Sequence, residues 1–286
     1  MRLRPLAIMA VAVCAVLAGC SSGPTLPEGD QRFLDATNNL KASDFKAAMT
    51  NLGATLKSTT SPGVKEQAYV IHVALETAMA EANKNMGEAY QLGAKQPAAS
   101  GHTGAFYKNR SDYYNTAHAQ LMDAMQAVLD QRAKLGDAAL TIEVPFPGFT
   151  GTNSGIGNVK NGQLISDGER AGAEQQAARD ALAGVLSAMA GAKDNPNKGK
   201  EIYGAGKVQI DPRVYLLALN DSFLGTAVMF GPRGTNESDH LATVNQVVKG
   251  NLEIVNKLLA AKPDKDLEAQ AKKQMDQAEG KPEKKK

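Results

Sequence analysis

Cysteine, histidine and paired carboxylates are the side chains that do nucleophilic, metal and acid–base chemistry, and in this chain they are sparse. The cysteines are Cys14 and Cys20, and the histidines are His72, His102, His118 and His240. No two histidines have the i, i+4 spacing that sets two imidazoles on one helical face, and no His-Glu-x-x-His occurs. The reading is therefore no metal and no cofactor, with a histidine site assembled across helices left open. Gly148 to Gly157 is glycine-rich, but a phosphate loop needs a strand before it and a lysine–hydroxyl pair opening a helix after it. Val159-Lys160-Asn161 follows instead, so the segment reads as a surface loop. Asn153-Ser154-Gly155 lacks both the spacing and the strand-to-helix frame of a Gly-x-Ser-x-Gly nucleophile turn. Glu143 is the only acid between Thr141 and Ser166, and Glu76, Glu81 and Glu88 read as solvated helix faces. No residue is assigned a catalytic role. Phe106, Tyr107, Tyr113 and Tyr114 form the densest aromatic cluster. Such a cluster at a loop-to-helix junction can anchor a partner, although packing the loop onto its helices is the commoner role. Tyr107, Tyr113 and Tyr114 are the candidate partner-binding residues.

The first nineteen residues have the three parts of a secretory signal. Arg2 and Arg4 supply positive charge, Leu6 to Leu17 is apolar, and small residues precede Cys20. The apolar run is about a dozen residues, where a membrane span needs roughly 20. Leu17-Ala18-Gly19-Cys20 resembles the lipobox of bacterial lipoproteins. That resemblance implies cleavage between Gly19 and Cys20 and a diacylglyceryl group on the Cys20 sulfur, for which a thiolate is the nucleophile. It also implies a stable membrane anchor, because two or more acyl chains hold where one does not. In the sorting rule of that family an aspartate after the cysteine favours the inner membrane, so Ser21 points to the outer membrane. Cys14 leaves with the signal, and the mature chain then holds no free thiol for a disulfide or a cysteine metal cluster. Without Arg2 and Arg4, acidic and basic residues are equal in number. That balance argues against a nucleic-acid partner.

The elements that must position these residues read as helices. Residues 20–30 form a Ser, Gly and Pro-rich linker. Phe45, Ala48, Met49, Leu52 and Leu56 recur at helical spacing, as do Val64, Ala68, Ile71, Leu75, Met79, Ala82 and Met86. Ser61-Pro62 opens the second run, and Gly93 with Pro97 closes it. A third run holds Tyr114, Ala117, Leu121, Met125 and Val128. Residues 141–166 are irregular, and Asn161-Gly162 between Val159 and Leu164 predicts a small hairpin. Ser166 and Glu169 have the spacing of a capping box before an alanine-rich helix. Asp211-Pro212 opens a strongly apolar helix, and Leu241 to Leu259 marks a last amphipathic one. Residues 262–286 are charged and poor in large apolar side chains, which predicts a mobile tail, with a short solvated helix around Leu267 to Met275 as the variant reading.

Ser43-Asp44-Phe45-Lys46-Ala47-Ala48 resembles the turn of tetratricopeptide repeats. Met86-Gly87-Glu88-Ala89-Tyr90-Gln91-Leu92-Gly93 resembles the first helix of a further unit, and Ser111 to Ala117 the following turn. The resemblance reaches residues 31–135, is interrupted by Ala94 to Arg110, and lacks the motif's tryptophan. It implies a concave helical surface for partners rather than catalysis.

Together these readings give a mainly α protein, either a helical bundle or a repeat-like α-α array with a small Gly/Pro-rich loop or hairpin insertion. The domain plan is a signal peptide over 1–19, a linker over 20–30, a helical domain over 31–261 and a tail over 262–286. The expected function is a lipid-anchored, non-enzymatic interaction or assembly protein of the cell envelope, held to the membrane through Cys20 and partnered by another envelope protein. The alternative is a small-ligand-binding accessory lipoprotein of an envelope transporter, and a third reading is a wall or carbohydrate hydrolase. A deep apolar pocket favours the ligand binder, a broad open groove the adaptor, and two convergent perturbed carboxylates the enzyme.

Overall fold

A computed structural model describes residues 26–143 and 155–281, apart from residues 194, 196, 198–200, 202–203, 205 and 233. Cys20 and the rest of the lipobox, and most of the Gly148–Gly157 loop, lie outside the described residues. The fold is mainly α-helical, with nine α-helices and one two-stranded sheet among the described residues. No helix among them is long and apolar enough to cross a membrane.

Helices α1 (Glu28–Lys41) and α2 (Phe45–Lys57) form a hairpin that packs on α3 (Pro62–Gly93). The α1–α2 turn passes through Ser43 at φ 59°, and the Asp44 carboxylate caps α2 by accepting from the Ala47 N–H at 3.1 Å. Helix α1 starts at Glu28, so the linker is shorter than the sequence suggests. The Asp30 carboxylate accepts from the Ser61 N–H and hydroxyl at 2.9 and 2.6 Å, tying α1 to the start of α3. Ser61 does precede the helix and Pro62 opens it, but its hydroxyl serves Asp30 and not an N-cap bond.

Helices α3 and α4 (Thr103–Arg132) form the long central hairpin. Gly87 makes their close approach feasible, because a Cβ there would fall 2.5 Å from the Tyr114 ring. Residues 111–117, where the repeat resemblance implies a turn, lie inside the continuous α4; the chain turns at 94–102 instead.

Strand β1 (Leu140–Ile142) pairs antiparallel with β2 (Val208–Ile210), Thr141 opposite Gln209. Leu140, Ile142, Val208 and Ile210 point inward, and Gln209 outward. The hairpin expected at Asn161-Gly162 is corrected: Gly155–Lys160 is the short helix α5, and Gly162 at φ +85° ends it. Val159 packs in the core from that helix. The cause is a β-branched residue on a buried helical face, where burial outweighs strand propensity.

Helix α6 (Asp167–Met189) starts with the expected capping box, both Ser166–Glu169 bonds being present. It packs against α3 and against α7 (Pro212–Ala227), which ends in a 3-10 turn over Val228–Phe230. Helix α8 (Ser238–Ala261) is followed by α9 (Lys265–Ala278), which docks on α7 and α8 and buries Ala271, Gln274 and Ala278. The expected mobile tail is thus corrected over Lys265–Ala278.

Candidate functional site

Where α9 lies across α7 and α8, the four helices α6 to α9 enclose a half-open groove of about 1060 Å³. Its walls are apolar and include Ala218 and Leu224 of α7, Leu241 of α8 and Leu267 of α9. Val228, at 64 % exposure the most exposed large apolar side chain among the described residues, sits on its rim. These positions follow from sequence: α7 carries apolar residues on several faces, and covering it needs more than one neighbouring helix.

The polar floor is internally satisfied. The Asp221 carboxylate accepts from Lys193 Nζ at 2.6 Å, Gln274 Nε2 at 2.8 Å and Gln270 Nε2 at 3.2 Å. Three donors from two segments thus converge on this one carboxylate. The groove can therefore take apolar surface with a few polar contacts, the composition of a recognition site.

The tyrosines of the sequence reading separate. Tyr107 is exposed at 47 %, while Tyr113 and Tyr114 are buried at 8 % and 3 %. Tyr113 stacks on Tyr90 with ring centroids 5.5 Å apart and donates its hydroxyl to Glu174 of α6 at 2.5 Å. Burial and that carboxylate push its phenol well above the usual range. Tyr114 bonds Gln91 at 3.2 Å and lies under the Arg110 guanidinium, 5.1 Å from the ring centroid. As exposed partner anchors, Tyr113 and Tyr114 are corrected: they join helices α3, α4 and α6. Tyr107 does not line the groove.

Of the acids of α3, Glu76 and Glu81 are corrected, whereas Glu88 lies at the surface beside Lys84 at 3.2 Å. Glu76 is 7 % exposed, and burial followed by the charge of Asp123 pushes its carboxyl up to about 7. Burial also raises Glu81. The Nδ1 of His72, one turn from Glu76, is buried without a hydrogen-bond partner, and burial lowers that imidazole's pKa. Asp123 is near enough for its charge to act on Glu76, and neither residue lines the groove.

The loop closing one end of the groove carries a second polar cluster. His118 of α4, Glu237 and His240 of α8 each bring a ligand atom within 4.8 Å of the others. Burial and the neighbouring His240 hold the His118 imidazole below its usual pKa, against a smaller opposing effect of Glu237. Sequence reading could not see this cluster, because His118 is far from the other two in the chain. The Glu237-x-x-His240 spacing was its only local trace.

What the fold defines is a mainly α-helical array with an open groove at its C-terminal end. No protein-family model matches the chain, and neither a curated protein nor a solved structure is significantly similar to it.

Proposed function

We propose that the protein is a lipid-anchored, non-enzymatic component of the cell envelope, outer-membrane by the Ser21 rule, that binds an apolar helical segment of another envelope protein in the α6–α9 groove. The observation that carries the binding reading is the groove itself, apolar-walled, half-open and about 1060 Å³ in volume. Helix-in-groove recognition places the apolar face of an amphipathic helix into such a trough. Drug-sized ligand pockets are typically about 300–1,000 Å³ and bury most of their ligand, so an open groove of this size suits a peptide surface better. The anchoring reading rests on Leu17-Ala18-Gly19-Cys20. With α1 starting at Glu28, the tether after Cys20 reaches at most about 25 Å, which would keep the domain near the membrane surface.

Two measurements test the proposal. Mass spectrometry of the N-terminal peptide should show acylated Cys20, and Cys20→Ala should abolish it. A photo-crosslinker in place of Val228 should capture a defined envelope protein in intact cells, and Leu241→Glu should remove that capture while the melting temperature holds. Acyl-free wild-type protein would refute the anchor. Capture indifferent to Leu241→Glu would refute the groove. A tightly held apolar small molecule in the purified protein would instead select the transporter-accessory reading.

A further inference from the structure

The cluster at the start of α8 is built from elements that the rest of the fold locks in place. Helix α4 presents Arg110, Tyr114 and His118 at successive four-residue intervals, hence on one face. Arg110 Nη2 donates to the Gly234 carbonyl at 2.7 Å, pinning the α7–α8 loop to that face. Within the loop, the Thr235 N–H bonds the Met229 carbonyl at 2.7 Å and the Glu237 N–H bonds the Phe230 carbonyl at 2.9 Å. Asn236 takes the left-handed conformation at φ 61°, a strain that non-glycine residues adopt where surrounding contacts hold them. Gly234 is obligatory here, since a Cβ would fall 1.6 Å from the Met229 carbonyl oxygen. The same face that clamps this loop delivers His118 to Glu237 and His240.

The side chains are oriented as well as gathered. The His118 and His240 rings meet edge-on with centroids 4.1 Å apart. Phe230 backs both, at 5.2 Å from His118 and 5.3 Å from His240. The Thr235 hydroxyl donates to Glu237 Oε2 at 2.9 Å. Aromatic packing alone would account for the three rings. It does not account for a carboxylate brought to them with one oxygen held by a hydroxyl, which is how second-shell donors orient ligating carboxylates.

We propose that His118, Glu237 and His240 form a binding site for a borderline divalent ion of the zinc type. Two imidazole nitrogens with one carboxylate oxygen suit zinc and its transition-metal neighbours, whereas calcium and magnesium prefer all-oxygen shells. Ligand atoms on a tetrahedral zinc with bonds of about 2.0–2.1 Å lie roughly 3.3 Å apart. The separations here are at most 4.8 Å, within reach of that spacing by small side-chain rotations. Three protein ligands leave the fourth position to water or to a donor group from outside. The ion would bridge α4 to the start of α8, fixing the loop that ends the groove.

The test uses the whole protein without a histidine tag, any free cysteine alkylated, stripped of metal with a chelator and titrated with zinc alone. One equivalent should bind with micromolar or tighter affinity and raise the melting temperature. Cobalt at the same site should give the visible spectrum of a four-coordinate ion. His118→Gln and His240→Gln should each weaken zinc binding roughly 100-fold, and Thr235→Val about 10-fold through loss of the orienting hydroxyl. If a histidine variant melts early without metal, Glu237→Gln decides, since that side chain is exposed and takes no part in the core. Absence of stoichiometric binding, or binding that Glu237→Gln and both histidine variants leave unchanged, overturns the site.

Discussion

Asn220 of α7 donates to Gln274 of α9 at 3.2 Å, and both side chains are sealed from solvent. The bond is one link in a buried chain of amides. Arg132 of α4 donates to Asn251 of α8 at 3.2 Å, Asn251 to Asn220 at 2.9 Å, and Gln274 to the Leu217 carbonyl and Asp221 at 2.8 Å each. Such a network specifies one arrangement of helices, because every partial alternative leaves polar groups unpaired.

The first prediction concerns α9. A satisfied buried hydrogen bond contributes about 1 kcal/mol, whereas orphaning its partners costs about 1–3 kcal/mol. Gln274→Ala leaves Asn220 without its acceptor and should lower stability by roughly 2–3 kcal/mol in urea denaturation. Removing residues 262–286 should cost more, since α7 and α8 would lose Ala271, Met275 and Ala278 as cover and the groove would lose a wall. An unchanged unfolding midpoint after truncation would mean that α9 does not dock in solution.

The tyrosines should respond in opposite ways. Tyr113→Phe deletes only the hydroxyl bonded to Glu174 and should cost about 1 kcal/mol, while Tyr113→Ala, removing an aromatic core side chain, should cost about 3–5 kcal/mol. Tyr107→Ala, at an exposed position, should stay within about 0.5 kcal/mol. Equal effects at positions 107 and 113 in thermal melts would contradict the packing described.

Two helical glycines make a matched pair. Gly172 of α6 has open space around a would-be Cβ, so Gly172→Ala should stabilise by up to about 1 kcal/mol through helix propensity. At Gly87 the same methyl would meet a Tyr114 ring held by Gln91 and Arg110. Overpacking of this kind costs about 1–3 kcal/mol, so Gly87→Ala should be neutral to destabilising. Parallel shifts of both variants in one denaturation series would refute the contact.

Much of the helical plan was legible, and the particular failures are physical. The runs through Leu52, Ile71, Leu121 and Val248 carry large apolar residues at helical spacing, and each is a helix with those residues buried. Ser166–Glu169 and Asp211-Pro212 mark helix starts through local chemistry, and both do so here. A helix around Leu267 to Met275 stood as the variant reading, but the docking of α9 was missed because it packs through alanines and a glutamine, which composition scores as solvated. The strand pair was missed because β1 and β2 are three residues each and lie far apart in the chain. Tyr113 and Tyr114 read as junction residues only if the third helical run begins at Tyr114; a helix starting at Thr103 turns them inward. The histidine cluster depends on a tertiary contact between α4 and the α7–α8 loop, which no local spacing encodes.

The last prediction follows from the titrating pair on α3. Glu76 and His72 lie one turn apart, and burial disfavours the charged form of each. The charges that bear on them are Asp123 of α4, which adds to the rise at Glu76 and partly offsets the fall at His72, and Lys57 of α2, which lowers His72 further. For Glu76 the carboxyl is raised from 4.5 to about 7, so between those values the folded chain keeps a proton that the unfolded chain has lost. Stability from this group is complete below pH 4.5 and is lost as pH rises through 7, a change on the order of 3 kcal/mol. His72 acts in the other direction: its folded pKa is depressed, so below about 6.5 the unfolded state gains the proton and stability falls. Wild-type stability should therefore decline from mildly acidic to alkaline pH beyond what other groups produce. Glu76→Gln should flatten that decline, matching wild type near pH 5 and exceeding it near pH 8. His72→Gln should leave the alkaline decline in place and weaken the loss on the acidic side. A Glu76→Gln profile parallel to wild type between pH 5 and 8 would show that this carboxyl keeps an ordinary pKa in the folded protein.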